Sequence, residues 1–146
     1  MRSAGFGLAL FAALLASACS SSGDPHLFGH ACPDIALLAP QLLYPIPGAT
    51  GVPTAPGSLL VAGNVPSTVV AELVPAPGTT LDLGALGPPP SPLPSPAATP
   101  ISSLGTLQGV PYPALSAATT YAVEYQDTAT PCPVAITGNS ASFTTR

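Results

Sequence analysis

An all-β antiparallel sandwich of about seven strands is the fold class this sequence predicts, on three observations. Twenty-one prolines and 14 glycines in 146 residues leave few uninterrupted windows long enough for a helix. From Pro33 onward, short apolar or alternating runs recur between clusters of turn residues, the spacing of strands in a sandwich or barrel. The segment Thr119–Asp127 alternates: Tyr121, Val123 and Tyr125 share one face, while Ala122, Glu124 and Gln126 share the other.

Charge sets the first limits on function. Two arginines, Arg2 and Arg146, stand against six acids, for a net charge of −4. Two cations at opposite ends cannot neutralise a row of phosphates, which excludes a nucleic-acid surface. At 47% apolar, the chain also lacks the composition of a charge-driven disordered protein.

The elements follow in order. Arg2 precedes an uncharged apolar run, Ala4–Ala18, shorter than the roughly 20 residues needed to cross a bilayer core. A positive start, a short apolar centre and small residues at its end predict a secretory signal peptide over residues 1–18. The junction reads Leu15-Ala16-Ser17-Ala18-Cys19-Ser20-Ser21-Ser22-Gly23, which resembles a bacterial lipobox. The resemblance implies cleavage before Cys19 and acylation of that cysteine, with a lipid bilayer as the partner of the acyl chains. Ser20 after the cysteine implies the outer membrane or cell surface. Ala16 stands where the lipobox prefers Leu. Ala16-Ser17-Ala18 is also an A-x-A site for ordinary signal peptidase, which would leave a free secreted or periplasmic protein. Several acyl chains anchor stably where one binds only marginally.

Residues 19–33 read as a flexible tether rich in Ser and Gly. The sandwich is expected over 34–146. Its strands are expected in the runs Pro40–Pro45, Ser58–Gly63, Thr68–Pro75, Thr79–Leu83, Leu104–Leu107, Thr119–Thr128 and Ala141–Thr145. Val69, Ala71 and Leu73 oppose the face of Glu72 and point inward, as does Phe143 in the last run, which follows a turn at Asn139-Ser140. Gly87–Pro100 holds seven prolines in fourteen residues. It reads as a stiff polyproline II or irregular surface loop joining the two sheets.

Three cysteines, Cys19, Cys32 and Cys132, make an odd count that acylation of Cys19 would resolve. Export places Cys32 and Cys132 in an oxidising compartment, where a disulfide is the default. For a 100-residue separation, the chain-entropy treatment assigns such a bridge on the order of 4–5 kcal/mol.

Three phrases carry a resemblance to a family. Tyr44-Pro-Ile-Pro-Gly-Ala-Thr-Gly-Val-Pro-Thr54 resembles the first strand and turn of bacterial Ig-like domains. Leu115-Ser-Ala-Ala-Thr-Thr-Tyr121-Ala-Val123 resembles a phrase of fibronectin type III and related domains. Ser142-Phe143-Thr144-Thr145 resembles their closing strand. The resemblance spans about residues 40–145. It implies that Tyr121 pins a corner by bonding its hydroxyl to nearby backbone, and that Cys32 and Cys132 lie at one end of the sandwich. Ala117 stands where the family phrase has Pro, and the buried Trp of the class is absent.

No catalytic constellation is present: there is no G-x-S-x-G, no H-E-x-x-H and no phosphate-binding glycine loop. The expectation is a non-enzyme without cofactor or metal. Asp82, Glu72, Glu124 and Asp127 read as solvent-facing acids rather than an acid–base pair. The leading expectation is an envelope-anchored structural, binding or adhesion module meeting an envelope protein or glycan. The alternative is a small metal-handling lipoprotein using His26, His30 and Cys32, with Asp24 nearby.

Overall fold

The computed structural model describes residues 32–100, 105–138 and 141–146. The signal segment, Cys19, Asp24, His26 and His30 lie outside the described residues, as do Leu104 and the Asn139-Ser140 turn.

Among the described residues the chain forms nine strands and no helix: β1 (Ala36–Leu38), β2 (Gln41–Tyr44), β3 (Gly57–Gly63), β4 (Val69–Ala76), β5 (Leu81–Ala85), β6 (Thr106–Tyr112), β7 (Thr120–Asp127), β8 (Ala135–Thr137) and β9 (Ala141–Thr144). One antiparallel sheet runs β2-β3-β6 and the other β5-β4-β7-β9. Each of the seven expected runs holds one strand of these two sheets. The remaining two, β1 and β8, are three residues long and pair in parallel, Ala36 opposite Ala135. They correct the expectation of a purely antiparallel fold. Such short, half-exposed segments carry no alternation for a sequence reading to detect.

β6 extends past the expected Leu104–Leu107 to Tyr112, through Gly109 and Pro111. Both residues argue against a central strand, but β6 is an edge strand, where proline is tolerated. Gly109 meets a local need: a β-carbon there would come within 2.8 Å of Pro90 Cδ and 3.2 Å of the Leu59 carbonyl.

The main core lies between the sheets. Leu42, Leu59, Val61 and Val110 enter from one side, and Ala71, Leu73, Tyr121, Val123 and Phe143 from the other. Val69, Ala71 and Leu73 are fully buried, as their alternation predicts. Without Trp, aromatic packing rests on Tyr121 and Phe143, whose rings stack at 5.8 Å.

A second, smaller core occupies the outer face of the three-stranded sheet. Leu43, Leu60 and Ala62 are buried there, with Ala98, Leu107 and Tyr44 packed against them. The cover is the proline-rich segment. It begins at the β6 edge, where Gly87 and Gly109 exchange N–H···O bonds of 2.9 Å, and returns to the β2 edge, where the Ala98 amide donates to the Leu43 carbonyl at 2.8 Å. Gln41 Nε2 donates to the Thr99 carbonyl at 3.3 Å. The segment joins the two sheets as expected, yet it is a strap laid on a sheet face rather than a free surface loop.

The sheet edges are handled locally. The 48–54 segment covers β9 through bonds between Gly48 N and Ser142 O, Thr144 N and Ala49 O, and Val52 N and Thr144 O. The β5 edge carries a register shift against β4 and a turn at Gly84 (φ 85°), whose amide donates to Asp82 Oδ1 at 2.8 Å. Both devices discourage edge-to-edge pairing with another chain.

Candidate functional site

The strand directions give the sandwich two poles, separated by the length of a seven-residue strand, about 20 Å. At the first, Cys32 and Cys132 are disulfide-bonded with Cα atoms 5.2 Å apart. The bridge and the β1–β8 ladder staple the N-terminal segment to the β7–β9 connection. Asp127, 5% exposed, braces the base of that connection. Its carboxylate accepts from the Val134 amide at 2.8 Å and the Ala129 amide at 3.1 Å. The Thr68 hydroxyl foremost, then these two amides, hold its carboxyl below the usual carboxylate range against the opposing effect of burial. Asp127 is therefore a structural clasp, not one of a set of solvated acids.

Three of the remaining acids line up. Glu72 stands opposite Asp82 on one neighbour and Glu124 on the other, a row across β5, β4 and β7 on the exposed face of the four-stranded sheet. Like charges in register repel. Among the described residues no group of three His, Cys, Asp or Glu is arranged to hold a metal. Of the metal-handling set, Cys32 is in the disulfide, where its sulfur offers no thiolate.

The second pole is the corner that Tyr121 occupies. The Ser116 amide donates to the Tyr121 hydroxyl at 2.9 Å. Thr145, 3% exposed, reinforces it: its hydroxyl donates to the Ser116 carbonyl at 2.6 Å and accepts from the Thr119 amide at 3.0 Å. These bonds hold a corner that has Ala117 instead of Pro. Thr145 escaped the sequence reading because a threonine in a closing strand looks like any other β-former.

Beside this corner lies a groove of about 510 Å³, within the size range of ligand sites. Tyr44, Gly57, Ser58, Pro111 and Tyr112 line it, together with Pro90, Pro92 and Pro94 of the strap. Two backbone features build it. Between β2 and β3 the register shifts, so Leu42 faces Val61 but Tyr44 faces Leu60. This bulge turns Tyr44 onto the outer face, away from the inward side that strict alternation assigns it. Gly57 lies opposite Tyr112, and a β-carbon there would fall within 2.7 Å of the tyrosine ring. The missing side chain gives Tyr112 its place. Burial foremost, and then the neighbouring Tyr44, push the Tyr112 hydroxyl above its ordinary pKa. The Leu115 amide ties the groove's rim to the corner through the Thr54 carbonyl at 2.8 Å. No carboxylate, histidine or basic side chain lines the groove.

Sequence reasoning singled out the proline-rich segment and Tyr121 but missed Tyr44, Gly57 and Tyr112 as a set. Their convergence depends on a bulge and a cross-strand pairing, which no local pattern in the sequence records. No protein-family model matches the chain, and no curated protein matches it. The fold and its site define the class: an all-β, sandwich-like domain, disulfide-stapled at one pole and grooved at the other.

Proposed function

We propose that this chain is a non-catalytic, lipid-anchored binding module of the bacterial cell envelope, built on one Ig-like or fibronectin type III-like sandwich. Acyl chains on Cys19 would hold it to the membrane through the 19–33 tether, and the groove would meet an envelope partner. The strand arrangement supports the family reading. β2, β3 and β6 correspond to strands A, B and E of the immunoglobulin pattern, and β4, β7 and β9 to C, F and G. β5 joins the second sheet, the place of a C′ strand rather than D. The Tyr121 hydroxyl bond supports it further.

The observation that carries the functional reading is polarity. The disulfide fastens the segment at Cys32, next to the proposed tether, to one pole, and the groove opens at the other. A tethered domain of this build presents its groove outward. The metal-handling alternative, resting on His26, His30 and Cys32, has lost its thiol to the disulfide.

Mass spectrometry of non-reduced peptides from native envelopes tests this reading. The expected result is a diacylated or triacylated Cys19, with the chain in the membrane fraction. An unmodified Cys19 in a wholly soluble fraction overturns it.

A further inference from the structure

We infer that the groove binds an uncharged, proline-rich segment of a partner polypeptide in the polyproline II conformation. This names the ligand class for the site proposed above and rests on the reading of that site as a binding groove.

Charge is the first selector. None of the described acids, nor Arg146, lines the groove. A charged ligand would lose hydration there without gaining a counter-ion. The ligand is therefore neutral where it touches.

Hydrogen-bond chemistry is the second selector. The side-chain polar groups of the lining are hydroxyls: Tyr44, Tyr112 and Ser58. A sugar ring presents several hydroxyls that each need a partner as they are desolvated, and three hydroxyls meet few of them. A proline-rich strand presents carbonyl acceptors spaced along its length and almost no N–H donors. Hydroxyl donors match that pattern, and the half-buried Tyr44 ring supplies flat apolar contact for a pyrrolidine face. Aromatic-lined grooves use this mode because the polyproline II strand is pre-ordered and loses little entropy on docking.

The third argument is the strap's own share of the groove. Its Pro90, Pro92 and Pro94 line the groove together with Tyr44 and Ser58. The groove is thus already bordered by prolines of this chain, and a second proline-rich strand would fill it. Leu93, between Pro92 and Pro94 in the sequence, is 51% exposed.

The test titrates the purified full-length protein into a fluorescein-labelled nonaproline peptide and follows anisotropy. A Gly/Ser peptide of equal length and a neutral oligosaccharide serve as comparisons. Saturable binding of nonaproline, at least tenfold tighter than either comparison, is expected. Tyr44→Ala and Ser58→Lys should each weaken it by about tenfold or more, with unchanged far-ultraviolet circular dichroism. Ser58→Lys keeps both tyrosines, so a loss there cannot be a loss of the core. No saturable binding by the wild type overturns the inference, as does a preference for the oligosaccharide or full binding in both variants. Failure here with an acylated Cys19 refutes the ligand class alone. Binding by a chain with unmodified Cys19 refutes the anchor and leaves the groove standing.

Discussion

The outer faces of the two sheets differ as much as the inside and outside of an ordinary protein. On the four-stranded sheet, β4 and β7 alternate buried with half-buried or exposed residues, and their outer face carries Glu72, Glu124 and Gln126. On the three-stranded sheet, β3 is buried on both faces: Leu59 and Val61 point into the main core, Leu60 and Ala62 under the strap. Continuous apolar runs mark strands covered on both sides. Here the cover is an extended proline strap rather than a helix. Proline suits the task, because a strap that crosses a sheet face has few strand partners for its N–H groups, and prolines have none to satisfy.

That contrast breaks most sharply at Leu60. Leu60→Ala, on the nominally outer face, should cost about 2–5 kcal/mol, as a core truncation does. Val70→Ala, at the half-buried outer face of the other sheet, should cost no more than about 1 kcal/mol. Chemical denaturation of the two variants measures the difference, and equal costs would mean that the strap does not bury the face beneath it.

A second prediction loosens the strap itself. Gly109→Val forces side-chain volume against Pro90 Cδ and the Pro88 carbonyl, and should cost about 1–3 kcal/mol. Amide exchange at Ala98 should accelerate with it, because its bond to Leu43 holds the far end of the strap.

The third concerns pH. The native carboxyl of Asp127 is held below its ordinary value, so its stabilisation is fully present above the unfolded value of about 3.9. It is lost as pH falls through the lower native value. The stability gap between wild type and Asp127→Asn should therefore be constant from neutral pH down to about pH 5 and shrink below that. Thermal melts across this range measure it, and a gap that widens in acid would refute the clasp.

The smallest effect lies on the bare face. Glu72→Gln removes a charge flanked by Asp82 and Glu124 in register. It should stabilise by a few tenths of a kcal/mol, and by less at high salt. A loss of stability would show that the acid row is held by an unrecognised cation.

Much of the sandwich was legible in the residues. Tyr121, Val123 and Phe143 declared their face by alternation, and Cys32 and Cys132 declared each other by being the even pair left once Cys19 is set aside. The strap's position was not legible, because proline-rich sequence specifies an extended conformation and says nothing of the surface it rests on. β1 and β8 were hidden for a related reason. Each forms because the disulfide and Asp127 bring the two segments together, not because either has strand character of its own.

The sequence by itself determined the strand-and-turn class, the buried faces of β4, β7 and β9, and the acidic net charge. These follow from local periodicity and from charge, which are properties of neighbouring residues. Only the tertiary structure decided that a proline strap would bury a second sheet face. It alone decided that a bulge would turn Tyr44 outward, and that Gly57 would make room for Tyr112 beside it. Those outcomes depend on which strands meet and in what register, and that is settled by packing over the whole domain.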